Sequence, residues 1–587
     1  MTRATTTAGD IVAALRAAGA AAGTPVGVAW SPDGLGLAHG DALLACPGDG
    51  VDAVRRVLDD LRPRLVWWSA RDATALVHAG VRVPSSWDLA ATHCLLHGGA
   101  DRDPALVWAA ARGLDPAHRP RTGQLDLLAG GPAPESADDP VDPAEPVRPD
   151  GHLRPGWAEH GPPTPEAAAR WAAAALVVQA EHQRALGLLP DTRRSPGPPA
   201  LALLTAWSES AAELLAVELG VRGLPLDRAT AVRLVEERVG PRPVDAASAA
   251  TARASRDDAV RALVPGAGDV DLRNPASVRA LLGRVGIDVP DTRAWRLEPF
   301  RGTHPLVAAL IDWRQAERIA TTYGFGWLDR DVGPDGRLRG SWTGCDGAAG
   351  RMTASAGLHN LPAELRPAVA AEPGMVLVRA DLGQVEPRVL AAVSGDDALA
   401  RATGDDDLYA PVAARLVVDR PTAKVAVLAA MYGQTSGAAG EALRGLERAY
   451  PVAMGYLRAA HESGAAGRDV TTYGGRRVRM WPLAEPVDPA ATAARGRFAR
   501  NAVVQGAAAE LFKMWAVSVR AALPPGAEVV LCLHDELLVH APEGNADEVA
   551  TLLHDVLGST SARWAAGSGV RFVADVSVVR RWSDAKG

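Results

Sequence analysis

The sequence predicts a mixed α/β (α+β) protein of several domains, on three observations. Its 587 residues are enough for three or four domains of ordinary size. Short apolar runs alternate with helical stretches over residues 26–115, a mainly helical pattern runs from Pro165 to about Leu328, and the remainder mixes strands and helices. At 48 % hydrophobic and 22 % charged residues, the composition is that of an ordinary globular chain.

In the first stretch, "VGVAW", "LGLAHG" and "LVWWSA" read as strands, while "GVDAVRRVLDDL" and "DATALVHAG" read as helices. Residues 130–165, "GGPAPESADDPVDPAEPVRPDGHLRPGWAEHGPPTP", are Pro-rich and acidic with little to bury, and read as a solvated loop. The four cysteines lie far apart without a CxxC pair, against a zinc site or disulfide framework and in keeping with a reducing cytosol. The N-terminus lacks a strongly apolar core, so no signal peptide is expected. No run of about 18 apolar residues exists to span a membrane. A net charge of −7 argues mildly against a nucleic-acid partner. Residues 476–500 nevertheless carry Arg476, Arg477, Arg479, Arg495, Arg497 and Arg500 against Glu485 and Asp488, which predicts a local basic surface.

Two segments place a carboxylate at a strand end. "GMVLVRADLGQVEPRVLAAVSG" (374–395) reads as a strand from Met375 to Ala380, then Asp381, then a helix from about Gln384 with Pro387 in its first turn. "EVVLCLHDELLVHAP" (528–542) reads as two apolar strands with Asp535 at the tip between them. A strand-end aspartate is ordinarily structural. Two in one sheet can hold a pair of Mg²⁺ ions about 3.5–4 Å apart, the spacing that in-line phosphoryl transfer uses.

The helix predicted in "RPTAKVAVLAAMYG" (420–433) starts at Pro421. Arg420, Lys424, Leu428 and Tyr432 recur at steps of four, a stripe about 18 Å long. Of the 62 Lys plus Arg, only three are lysines, Lys424, Lys513 and Lys586. A generic basic position in this chain would be arginine, so Lys424 points to a compact cation able to give up a proton. Together with a metal-bound carboxylate pair, such a stripe suits a triphosphate. A second stripe, Arg497, Asn501 and Gln505, lies on the Ala-rich helix "RGRFARNAVVQGAAAELFKMWAVSVR". Its donors match the N3 and O2 acceptors that base pairs present in the minor groove. Either stripe also admits a plain reading, as a solvated helix face or as caps for neighbouring backbone.

These stretches, in order, resemble the motifs of family A DNA polymerases, the bacterial DNA polymerase I group. "GRMTASAGLHNLP" (350–362) resembles that family's "GRLSS…LQNIP" segment. "DLGQVEPRVLAAVSGD" (381–396) resembles motif A, "RPTAKVAVLAAMYG" motif B, and "LHDELLV" (533–539) motif C. The resemblance covers roughly residues 200–587 and implies a right-hand polymerase with palm, fingers and thumb. It implies that Asp381 and Asp535, with the carbonyl of Leu382, bind two Mg²⁺ ions beside Glu536. Arg420 and Lys424 would bind the dNTP phosphates, Lys424 as proton donor to pyrophosphate. Guanidinium is too poor an acid for that task. Leu428, Tyr432, Gln384, Tyr409 and Glu386 would complete the dNTP site, Glu386 by crowding the sugar 2′ position. Arg351, Arg388, Arg497, Asn501, Gln505 and His534 would contact primer-template DNA. The chain departs from the family at Leu382-Gly383, at Tyr409 in place of a phosphate-binding histidine, and at Leu428 in place of an aromatic residue.

The N-terminal region resembles more weakly the family's RNase H-like 3′–5′ exonuclease domain. Asp72 falls at a carboxylate position, but the leading Asp-x-Glu is missing. Trp171 and Ala175 stand where the third motif has Tyr and Asp. Two-metal hydrolysis cannot run on one carboxylate, so no proofreading is expected. Nor is a 5′ flap nuclease. The expected division is 1–195 degenerate exonuclease-like domain, 196–330 thumb, 331–403 palm, 404–490 fingers and 491–587 palm again. The resemblance implies a monomer in the cytoplasm, associated with the nucleoid. Two rival readings stay open, a DNA-gripping relic without catalysis and a relative of the single-subunit RNA polymerases.

Overall fold

Helices start where the sequence supplies an acceptor for their first free N–H groups. Asp227, Asp245, Asn274, Asp419 and Asp488 each accept from backbone at the N-terminus of the helix that follows, and proline stands at the start of several helices, among them Pro165–Gly187 and Pro489–Ala522. In the computed structural model the described residues are 3–4, 8–119, 145–433, 439–484 and 488–585. Positions 130–144 of the Pro-rich stretch, Glu485 and Lys586 lie outside them. Two compact units emerge. One comprises residues 1–221, 341–353 and 378–578, the other 222–340, 354–377 and 579–587.

The first unit opens with a six-stranded mixed sheet. Three antiparallel strands, Pro25–Ser31, Gly34–His39 and Ala42–Pro47, continue through parallel strands at Arg64–Trp67 and Ser86–Asp88. An Ala-rich helix, Pro165–Gly187, lies on this sheet. Gly27 and Gly36 explain how close it comes. A Cβ on Gly27 would stand 2.3 Å from the carbonyl oxygen of Ala172, and one on Gly36 would stand 2.0 Å from the nitrogen of Ala169. Small residues on both sides allow backbone to meet backbone. Trp68 stacks on Trp171 beneath, ring centroids 4.4 Å apart. Asp72 lines a cavity of about 720 Å³ with Trp30, Trp68 and Trp171, and burial pushes its carboxyl up to about 7. Ala175 is sealed in the core.

A second sheet has the strand order 528–532, 536–542, 375–382, 574–579. Glu528–Cys532 and Glu536–Pro542 form the expected hairpin, with Asp535 in its turn. The 34-residue helix Pro489–Ala522 carries a buried ionic group. Lys513 and Arg476 both pair with Glu209, at 2.5 and 2.6 Å.

That pairing corrects part of the expected basic surface at 476–500, of which Arg477, Arg479 and Arg497 are exposed. Arg476 is 2 % exposed, and Arg495 is buried with its donors on the carbonyls of Trp481 and Ala465. Arg477 pairs with Asp469, and Arg479 donates to the carbonyl of His97. A local count of charges cannot tell a guanidinium that faces water from one that satisfies internal acceptors. The second unit is chiefly helical, with a core built from Val278, Leu282, Leu306, Leu310 and Trp313 among others. Among the described residues no helix is long and apolar enough to cross a membrane.

Candidate active site

The strand Met375–Leu382 runs two residues further than the sequence pattern predicts, because the Leu382 N–H donates to the carbonyl of Asp535 at 2.7 Å. This bond ties the Asp381 strand end to the hairpin turn that carries Asp535. Arg379 joins them from below: it contacts Asp381 and donates through Nε to Glu536 at 2.9 Å. Leu382 is itself buried, so only its backbone belongs to the site. The departure at Gly383 has a steric reason, since a Cβ there would meet Cγ2 of Val573 at 2.9 Å.

Gln384 then takes a left-handed backbone, φ 52°, before the helix Val385–Ser394. Such a conformation in a non-glycine residue persists only where its surroundings hold it. Here the side chain is clamped at both ends. Its Nε2 donates to Asp407 at 2.8 Å, and its Oε1 accepts from the Leu408 N–H at 2.7 Å. Asp407 in turn holds Arg420, Nε to Oδ2 at 2.5 Å, and this pairing keeps the Asp407 carboxyl below the usual carboxylate range.

The stripe of four emerges as expected on the helix Arg420–Tyr432, whose opposite face, Ala423, Ala426, Val427 and Ala430, is buried. Arg420 and Lys424 are exposed, Leu428 is half-buried and Tyr432 is 38 % exposed. The Tyr432 hydroxyl donates to Glu386 at 3.0 Å, and Arg351 stands 3.8 Å from the same carboxylate. Gln384, Glu386, Tyr409, Leu428, Tyr432, Gln505, Arg351, His534 and Asp535 all line one cavity of about 390 Å³. Tyr409 contributes while only 4 % exposed, its phenol pushed up to about 12 by burial. A neighbouring cavity of about 290 Å³ is bordered by Arg351, Asn501, Gln505 and His534 with Phe498. Burial holds the His534 imidazole below its ordinary range, with the charge of Arg351 adding to the effect. Arg497 is exposed and packs on Gly433, at the end of the Arg420 helix.

One predicted DNA contact is wrong. Arg388 is 0 % exposed, and its guanidinium donates to the carbonyls of Gly383, Thr403, Asp405, Asp406 and Arg571. It braces the loop beneath the site and has no face for DNA. Conversely, sequence reading passed over Arg379 and Asp407. Arg379 had a signal: it stands two residues before Asp381 and therefore on the same face of the strand. Asp407, within the run "DDD", had none that singled it out.

The donor set at the strand ends is hard oxygen throughout: the carboxylates of Asp381 and Asp535 and the carbonyl of Leu382. That set fits Mg²⁺, which keeps waters and substrate oxygens in its remaining positions. Among the described residues no three or more His, Cys, Asp or Glu converge as a metal cage.

The chain is similar to known proteins. The family model for DNA polymerase family A matches residues 285–584. The thermostable DNA polymerase I of Thermus filiformis is 32 % identical over 320 residues, 49 % of this chain and 38 % of that protein. DNA polymerase I of Chloroflexus aurantiacus is 32 % identical over 323 residues, 48 % of this chain and 34 % of that protein. The matched stretch thus spans less than two fifths of the length of these relatives. The solved structure of the POL domain of Pol1 from M. smegmatis, in complex with DNA primer-template and dNTP, shares the fold. Its TM-score is 0.65 at 20 % identity, with both chains covered fully. With just over half of its length matched by that family model, the chain belongs to DNA polymerase family A.

Proposed function

We propose that this chain extends a primer 3′ end with dNTPs, copying a DNA template by nucleotidyl transfer. One observation carries the proposal: the two strand-end aspartates are joined through the Leu382–Asp535 bond, beside a cavity walled by the Arg420 helix. The name DNA polymerase I on the relatives supports it.

In this reading Asp381, Asp535 and the Leu382 carbonyl hold two Mg²⁺ ions. When bound, these activate the primer hydroxyl and neutralise charge on the transferring phosphate. Arg420 leaves Asp407 to meet the triphosphate. Lys424, one turn further along the same face, donates a proton to the departing pyrophosphate. Glu386, held by the Tyr432 hydroxyl, closes the space a ribose 2′-hydroxyl would need. Arg351, Asn501, Gln505 and His534 meet the minor-groove edge of the terminal pair, so that pair geometry is checked without reading sequence. Arg497 lies on the path of the backbone. The strand-end sheet acts as palm, residues 404–490 as fingers and 196–330 as thumb. Residues 1–195 act as a scaffold without proofreading. The reaction suits gap filling in repair, by a monomer in the cytoplasm.

The test is extension of a labelled primer across a gapped duplex with dNTPs and Mg²⁺. Template-directed extension supports the proposal. Binding of the duplex without extension favours the relic.

A further inference from the structure

Arg379 is a buried charge in the site that this reaction does not use. Its side chain is 2 % exposed at the floor of the sheet, where the strands 375–382, 536–542 and 574–579 meet. It contacts the Oδ2 of Asp381, donates to Glu536 Oε1 at 2.9 Å and stands 3.7 Å from Asp575. A guanidinium keeps its charge at any ordinary pH. One oxygen of a carboxylate assigned to bind divalent ions therefore already serves a permanent cation.

We propose that Arg379 is a built-in counter-cation that keeps divalent metal affinity low until a nucleotide arrives. The inference rests on the metal assignment of Asp381 and Asp535. Without metal, Asp381, Asp535 and Glu536 would repel one another, and Arg379 offsets that repulsion. It also opposes entry of a dication, because like charges this close in a partly water-excluded site repel strongly. A triphosphate brings negative charge of its own and shifts the balance. Metal and nucleotide should then bind with strong positive coupling, which is reciprocal by linkage. Arg379 acts through Asp381 and the metal, as a positioning residue.

The experiment measures Mn²⁺ binding by the electron paramagnetic resonance of free Mn²⁺. It uses the full chain with a dideoxy-terminated primer-template, with and without the matching dNTP. Wild type should bind Mn²⁺ weakly until dNTP is added. Arg379→Gln should bind it at least tenfold more tightly without dNTP, with a correspondingly smaller gain on adding dNTP. Mn²⁺ should also raise the melting temperature of Arg379→Gln more than that of wild type. Arg379→Lys, which keeps the charge but not the fork, should stay near wild type. If Arg379→Gln does not fold even with Mn²⁺, Arg379→Lys decides: affinity well above wild type overturns the proposal. Equal Mn²⁺ affinity in wild type and Arg379→Gln also overturns it. Asp535→Asn separates the two readings. Binding that is indifferent to Asp535→Asn shows the metal assignment to be wrong. Binding lost in Asp535→Asn, yet equal in wild type and Arg379→Gln, shows the counter-cation role alone to be wrong.

Discussion

At Lys513 the ammonium is sealed from water, and its protons go to Glu209 and to the carbonyls of Gly350 and Gly344, at 2.5, 2.6 and 3.3 Å. A planar guanidinium does not fit three acceptors gathered around a point, so packing alone accounts for lysine there. Lys424 has no such enclosure: it is exposed, on the stripe with Arg420 and Leu428. Rarity of lysine therefore singles out positions where shape or acidity matters, and only the structure tells which. If Lys424 serves by giving up a proton, Lys424→Arg keeps the charge and loses the chemistry. Single-turnover kinetics should show a rate lowered by about 10²-fold at saturating dNTP, with dNTP affinity little changed. A variant as fast as wild type removes the proton-donor role. Most of the site was legible at this scale because each motif residue carries a recognisable spacing. Arg388 was misread because it sits inside such a motif while all its donors turn inward.

The long helix Pro489–Ala522 shows what periodicity cannot convey. Its Ala-rich sequence predicted a helix, and Asn501 and Gln505 do border the site. Glu510, five residues beyond Gln505, is instead wholly buried, accepting from the Gly474 N–H at 2.8 Å and from Thr472. Burial pushes its carboxyl from an ordinary 4.5 up to about 7. The native state then keeps a proton that the unfolded chain gives up near 4.5. Stability from this residue is present below that pH and is lost as pH rises towards 7, by about 3 kcal/mol. Denaturant unfolding from pH 5 to 8 should therefore show Glu510→Gln gaining on wild type as pH increases. Parallel profiles would mean the Glu510 carboxyl is not shifted. The same blindness to burial turned the arginines of 476–500 into an expected surface, when Arg476 and Arg495 are internal ties.

At the scale of the molecule, the carboxylate and cation motifs lie far apart in sequence and close together in the first unit. Their order along the chain made the family legible, while the pairing of strand ends did not follow from any local pattern. The N-terminal sheet was legible as alternating strand and helix, but the Trp-lined cavity that Asp72 shares with Asp88, Asp103 and Glu213 did not follow from any local pattern. A labelled primer with a mismatched 3′ end, incubated with Mg²⁺ and no dNTP, should stay its full length if residues 1–195 act as a scaffold, since the sequence lacks the leading Asp-x-Glu and has Ala175 where the third motif has Asp. Trimming of that end would contradict the scaffold role. The most direct test of the whole account is extension on a gapped duplex by wild type beside Asp535→Ala. Wild type should add templated nucleotides, and the variant should be slower by about 10³-fold, roughly 4 kcal/mol of barrier. Equal extension by the two proteins, or none by wild type, would contradict it.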